Sequence, residues 1–91
     1  SNDKNIITDF KLLLYNKETY MDKNITIKGK YYTQALGLGY EHYLFDSNEL
    51  RIRFKPKYDR SWERDKTYTI SGVYTNVEER FNQKYVGLLE K

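Results

Sequence analysis

The residues of this sequence that could do chemistry are cations and aromatic rings placed at alternate positions. Arg51, Arg53 and Lys55 alternate with the apolar residues Ile52 and Phe54. Successive side chains of a β-strand point to opposite faces, so the three cations would share the solvent-exposed face of one strand. Such a row could bind phosphate groups, because a phosphate that is neutralised by Lys or Arg releases counterions into solution.

The first predicted strand would carry Lys28, Lys30 and Tyr32 on its outer face by the same rule. A polar segment after the third strand adds Tyr58, a further ring that could stack on a ligand. Single-stranded nucleic-acid binding combines cations that follow the phosphates with rings that stack on bases, at about 1–3 kcal/mol per base. The predicted binding residues are Lys28, Lys30, Tyr32, Tyr40, His42, Arg51, Arg53, Lys55 and Tyr58.

The second predicted strand has aromatic residues at both odd and even positions, so the side chains on its outer face depend on which residues are buried. If Tyr43 and Phe45 lie in the core, then Tyr40, His42 and Leu44 point outward between the two basic strands.

The simpler alternative to a binding role for the cations is that half-exposed strands place Arg and Lys outside because these residues tolerate solvent. Both interpretations stay open at this point, since nearby acidic residues dilute the positive field.

The sequence contains no catalytic or metal-binding signature. His42 is the only histidine and there is no cysteine, so no ligand spacing for a transition metal is present. The G-x-S-x-G and H-E-x-x-H patterns are both missing. Gly37 and Gly39 precede no predicted helix, which argues against a phosphate-binding loop. We therefore predict a protein that is not an enzyme, with no catalytic residue, no metal and no cofactor.

Hydrophobic periodicity predicts one helix followed by five strands. Apolar residues at three- and four-residue spacing predict the helix at about 8–22, and alternation with period two begins at Asn24. The strands are predicted at about 24–32, 40–46, 50–55, 67–77 and 84–89. Gly29 and Gly72 lie within strands, where they indicate the sharp coiling of a small closed barrel. Trp62 is interpreted as a cap over the core.

Two segments, YMDKNITIKG at 20–29 and DKTYTISGVYTNVEERFNQKYVGLLE at 65–90, share a pattern of Gly, Tyr and β-branched residues. The pattern resembles small bacterial OB-fold proteins of the tRNA-anticodon-like class. The resemblance implies a five-stranded Greek-key OB-type barrel, at about 24–90 in this mainly β chain, behind the predicted N-terminal α-helix. The length of 91 residues fits a single domain, spanning 1–91. It also implies a ligand face over the second and third strands. The connection at 57–65 is shorter and less helical than is usual in that family.

An SH3-like barrel, or a helix packed on an open meander, are the alternatives for the fold. For function, the leading hypothesis is a non-catalytic module that binds single-stranded DNA or RNA on the outer face of the first three strands. The positive excess of the chain lies in its middle, at 24–64, and an electropositive middle suits an anionic partner. The alternative is an extracytoplasmic domain, for example from a lipoprotein, or an accessory OB domain that contacts another protein through its tyrosines.

No apolar run in the sequence is long enough to span a bilayer. The compartment follows from the function in each hypothesis. We expect a cytoplasmic location for a nucleic-acid binder, and a cell-envelope or secreted location if a leader precedes Ser1.

Overall fold

Strands dominate the structure, a computed structural model that describes residues 5–36 and 39–91. The predicted turn at Gly37 and Leu38 therefore lies outside the described residues. The elements are β1 (Ile6–Ile7), α1 (Lys11–Tyr15), α2 (Lys17–Tyr20), β2 (Asn24–Leu36), β3 (Gly39–Phe45), β4 (Arg51–Lys55), β5 (Thr67–Arg80) and β6 (Gln83–Glu90). The five predicted strands correspond to β2 through β6, and β1 is an additional short strand.

The sheet closes on itself through the long strand β2. Residues 30–36 of β2 pair with β3, and residues 24–30 pair with β5, both in antiparallel register. β3 pairs with β4, β4 with β6 in parallel, and β6 with β5. The strands therefore form a ring in the order β2-β3-β4-β6-β5 and back to β2, which confirms the prediction of a mainly β, closed sheet. β1 adds a two-residue parallel pairing to β2.

The mid-strand glycines allow neighbouring strands to approach each other closely. A Cβ atom on Gly29 would lie 2.5 Å from the carbonyl oxygen of Phe45, and one on Gly72 would lie 2.0 Å from that of Leu89. Real side chains cannot occupy such positions, so Gly is required at both sites. Next to Gly29, Lys30 pairs with both β3 and β5, which is where the ring closes.

The core lies inside the ring and is built from the inward-facing side chains of all five long strands. Phe10 and Leu13, from α1 and the residue before it, complete it. Burying a large apolar side chain stabilises the folded state by about 1.5–3 kcal/mol. The core cluster consists of Phe10, Leu13, Ile27, Tyr31, Leu44, Ile52, Phe54, Ile70, Tyr74 and Leu88.

The prediction of one helix at 8–22 is wrong, because the segment forms two short helices that break at Asn16. The backbone of Asn16 leaves the helical region at φ −131° and ψ 41°, and its side-chain nitrogen donates to the carbonyl of Leu12. Only Phe10 and Leu13 of this segment are fully buried, so the apolar spacing reflects one turn packed on the closed sheet. The side chain of Asp9 accepts a hydrogen bond from the backbone N–H of Lys11, the first residue of α1.

Candidate nucleic-acid interface

Strand register arranges the outer side chains of β2, β3 and β4 in rows across the sheet. The first row consists of Lys30, Phe45 and Arg51, and the second row begins with Tyr32 and Tyr43. Residues directly opposite each other in a sheet project from the same face. We call these five residues the basic–aromatic patch. Lys30 and Arg51 lie at its two edges, with Phe45 between them on β3. Tyr32 lies on β2 with Lys30, and Tyr43 is buried, with 3% of its surface exposed.

The rings between the basic strands are not the predicted ones, since β3 has the opposite parity. Leu44 is fully buried, because it pairs with the core residues Tyr31 and Ile52. His42 likewise faces the inner rings and not the outer surface. The outer positions of β3 therefore belong to its odd-numbered residues, which include Tyr43. Sequence could not settle this parity because aromatic residues occur at both.

The rings of the patch are themselves in contact with cations. The guanidinium of Arg51 lies 4.3 Å from the ring centroid of Tyr43, and that of Arg64 lies 4.6 Å from that of Tyr32. Phe45 packs edge-on against Tyr32, with ring centroids 5.7 Å apart. Arg64 was not among the predicted binding residues, because it lies in an irregular segment whose position relative to the strands cannot be read from the sequence.

Arg53, a predicted binding residue, lies in a compact ion-pair cluster on the same outer face. Its Nη2 atom is 2.6 Å from Glu41 Oε2, and Arg80 donates to the other oxygen of Glu41 at 2.5 Å. Glu78 lies near both arginines. The hydroxyl of Tyr43 donates to Glu41 and accepts from Arg53. The cluster of two arginines and two glutamates carries no net charge.

The end of the β5–β6 hairpin supplies half of this cluster and so covers part of the outer face. Tyr85 of β6 adds an aromatic contact, since Arg53 lies 4.5 Å from its ring centroid. At the tip, Phe81 and Asn82 both have positive φ, of 51° and 64°. The Phe81 side chain is 96% exposed. The sequence contained no signal for these contacts, because the partners are separated by more than 20 residues in the chain.

The remaining predicted cations on the strands are exposed. Lys28 and Lys30 project from β2, and Arg51 and Lys55 from β4. Among residues 5–36 and 39–91, no carboxylate oxygen lies within 4.0 Å of any of these four groups. They are available to an anionic ligand without breaking an ion pair.

Opposite the outer face, an aromatic cluster fills the inner side of the β3–β4 hairpin. Trp62 stacks on Tyr31 with ring centroids 5.1 Å apart and packs edge-on against Phe54 and Tyr68. The interpretation of Trp62 as a core cap is thereby confirmed. The hydroxyl of Tyr31 is 2.6 Å from Nδ1 of His42. Burial lowers the pKa of His42, and the charge of Asp59 offsets part of that effect.

Tyr58 and Tyr40 lie apart from the basic–aromatic patch. The guanidinium of Arg60 is 4.6 Å from the ring centroid of Tyr58 and 4.1 Å from that of Trp62. Arg60 also forms an ion pair with Glu90 at 2.7 Å, which fastens the segment to β6. Tyr40 begins β3 and is 71% exposed. The structure therefore does not bring all nine predicted residues together on one surface.

No family model, curated protein or solved structure matches this chain. None of the helices in the described part of the chain is long and apolar enough to cross a membrane. Within residues 5–36 and 39–91, no group of three or more His, Cys, Asp or Glu side chains is placed to hold a metal ion.

Proposed function

We propose that this protein is a non-catalytic module that binds single-stranded nucleic acid, DNA or RNA, on the outer face of β2, β3 and β4. The observation that carries the proposal is the row Lys30, Phe45 and Arg51, with Tyr32 and Tyr43 beside it. Neighbouring strands lie about 4.8 Å apart, so the backbones that carry the two cations are separated by about 10 Å. Phosphates would bind at the two edges, and bases would stack against the partly exposed rings of Phe45 and Tyr32.

The strand order supports assigning the sheet to the OB type. Three consecutive antiparallel strands, β2, β3 and β4, are followed by β5, which returns to pair with β2. That spatial order, fourth-first-second-third, is the Greek-key arrangement. OB-type barrels bind oligonucleotides over their second and third strands, which are β3 and β4 here. The proposed patch lies on that side of the sheet and extends onto β2.

Acidic residues beside the patch limit the expected affinity. Asp46, Glu49 and Asp65 line the same groove as Lys30 and Tyr32. Asp46 is largely committed to the fold, because its carboxylate accepts backbone N–H groups of three other residues. We expect binding in the range of sequence-independent interactions, with Kd about 10⁻⁴–10⁻⁶ M at physiological salt.

Titration of fluorescein-labelled dT12 and U12 at low salt, followed by anisotropy, tests the proposal. The double variant Lys30→Glu/Arg51→Glu removes the two edge cations of the patch. The control Lys11→Glu/Lys17→Glu makes the same change in net charge on α1 and α2, where both residues are exposed. We expect the patch variant to lose about tenfold or more in affinity and the control to lose far less, because close phosphate contacts dominate binding.

Equal losses in the two variants would show that only overall charge matters and would contradict an interface at the patch. Failure of the unaltered protein to bind either oligonucleotide at low salt would refute the function itself. Measuring DNA and RNA side by side also distinguishes the two ligands, since only RNA offers a 2′-hydroxyl group.

The second candidate, contact with another protein, is favoured by one observation, the exposed ring of Phe81 at the hairpin tip. Exposed aromatic side chains commonly anchor protein–protein interfaces. The two candidates predict opposite effects of one substitution. Phe81→Ser would abolish binding of a protein partner, whereas oligonucleotide binding at the patch would persist.

A further inference from the structure

The two glutamates of the ion-pair cluster hold the arginines very differently. Glu41 is 95% buried at its side chain and makes the two short contacts, at 2.6 Å and 2.5 Å. Glu78 is 35% exposed, and its oxygens lie 3.7 Å from Arg53 Nη1 and 3.3 Å from Arg80 Nε. Glu41 is therefore integral to the fold, and Glu78 is the loosely held member of the cluster.

This arrangement leaves three donor atoms of the two arginines without a hydrogen bond. Arg53 Nε, Arg53 Nη1 and Arg80 Nε are buried and have no hydrogen-bond partner among the described residues. A buried donor without a hydrogen bond costs about 1–3 kcal/mol. Together with Glu41, the nearby Glu78 carboxylate neutralises the charge of the two guanidinium groups, but Glu78 does not satisfy their hydrogen-bond geometry. An anion with more oxygens, placed at the same point, would satisfy more of these donors.

Space for such an anion adjoins the cluster. A cleft of about 150 Å³ is lined by Glu41, Arg53 and Glu78 together with Lys55 and other residues at the end of the β3–β4 hairpin. One water needs about 10–15 Å³ of such volume, so the cleft is large enough for a group of several atoms. Lys55 supplies a further cation at its edge, and it lies on the same strand as Arg51 of the patch.

We propose that Arg53 and Arg80 form a phosphate-binding site that the Glu78 carboxylate occupies in this structure, and that a phosphate group displaces Glu78 when ligand binds. The inference rests on the proposed function in taking a phosphodiester of the nucleic acid as that ligand. Displacement moves one half-buried carboxylate into solvent and breaks no covalent bond. Glu78 lies directly after the β-bulge between Asn76 and Glu78, where the ladder is already interrupted.

The exchange gives the β5–β6 hairpin a role in affinity. While Glu78 is bound, it neutralises a part of the outer face that would otherwise attract phosphate. After displacement, Arg53 and Arg80 extend the cationic surface from Arg51 towards the hairpin. The protein would then contact one or two more phosphates of the nucleic acid than the basic–aromatic patch alone could bind.

The test compares Glu78→Gln with Glu79→Gln, its matched control. Glu79 is the next residue on β5, is exposed, and forms no ion pair with a described residue. Each substitution removes one negative charge from the same hairpin. We expect Glu78→Gln to bind dT12 about three- to tenfold more tightly than the unaltered protein, and Glu79→Gln to stay within about twofold.

Equal affinities of the two variants would refute the exchange while leaving nucleic-acid binding intact. If no variant binds either oligonucleotide, the proposed function fails. Titration with inorganic phosphate then tests whether Arg53 and Arg80 form a phosphate-binding site. In that case, ¹H–¹⁵N spectra of Glu78→Gln should show phosphate-dependent shifts of the Arg53 and Arg80 Nε–H signals. Such shifts would support a site for free phosphate, and their absence would refute the site. Thermal melting of each variant verifies that it is folded.

Discussion

The two faces of the β3–β4 hairpin are each covered by another segment of the chain, and the two covers are held by different interactions. On the inner face, residues 56–66 are held by aromatic packing, with Trp62 stacked on Tyr31. On the outer face, the end of the β5–β6 hairpin is held by ion pairs, with Arg80 and Glu78 on Glu41 and Arg53.

The difference separates stability from binding in this small domain. Apolar contacts stabilise the fold in proportion to the area buried, and no small anion can replace them. Ion pairs near a surface contribute little net stability, because the charges lose hydration when they pair, and a charged ligand can compete for the same groups. We infer that the inner cover is structural and that the Glu78 contact of the outer cover is exchangeable.

The largest expected effect is on the inner face. Trp62→Ala should lower the free energy of unfolding by about 3 kcal/mol, because it removes the stacked indole and leaves a cavity beside Tyr31 and Phe54. Urea denaturation measures the change. Tyr58→Ala is the control, since that ring is 58% exposed and should cost less than about 1 kcal/mol. Similar losses in the two variants would contradict a structural role for the inner cover.

On the outer face, the two glutamates should differ in their effect on stability. Glu41→Gln should cost about 2 kcal/mol, because it leaves the buried end of Arg53 without its closest carboxylate. Glu78→Gln should cost less than about 0.5 kcal/mol, because the Glu78 contacts are long and its carboxylate is partly hydrated. The same urea experiment checks both variants. A larger loss for Glu78→Gln would show that the hairpin is fixed in place and not exchangeable.

The hairpin tip should gain stability from a substitution. Phe81 has φ 51°, in the left-handed region that disfavours side chains other than Asn, Asp and Gly. Phe81→Asn should therefore raise the free energy of unfolding by about 0.5–1 kcal/mol, since Asn suits the first position of this two-residue turn. Tyr40→Asn, an exposed position without positive φ, should give no gain. A gain of equal size there would rule out backbone strain as the cause.

The smallest expected effect is a pH dependence from the inner face. Because burial lowers the pKa of His42, the folded state resists protonation that the unfolded state accepts near pH 6.5. The stability that this difference provides is complete above pH 6.5 and is lost as the pH falls towards the lower folded-state pKa. The melting temperature should therefore fall between pH 7 and pH 5 in the unaltered protein. It should fall less in His42→Asn, and equal slopes would contradict the assignment, because His42 is the only histidine.

The parts of the fold that sequence could predict are those with one clear periodicity. Alternation around Ile52 and Phe54 correctly placed β4 and its exposed cations, and Gly29 and Gly72 indicated the close strand approaches of a closed sheet. The parity of β3 was not predictable, since its rings alternate on both faces. The single helix failed because its apolar spacing reflects only the turn around Phe10.

The candidate site was predictable in type but not in composition. The alternation of residues along each strand identified cations at the edges of the outer face. The net charge of that face, however, depends on ion pairs between residues that are far apart in the sequence. Arg53 is neutralised by partners on β3 and β5, and Arg64 reaches the patch from an irregular segment. Such pairings depend on how the strands curl around the ring, which side-chain periodicity does not encode.

Mapping by NMR tests the central claim most directly. Amide ¹H–¹⁵N spectra of the ¹⁵N-labelled protein, recorded during titration with dT12 at low salt, report which segments contact the ligand. We predict the largest shifts on the outer face, at Lys30, Tyr32 and Arg51, with smaller shifts in the β5–β6 hairpin. Shifts confined to residues 56–66, or no shifts at saturating oligonucleotide, would contradict a nucleic-acid interface on the outer face of this sheet.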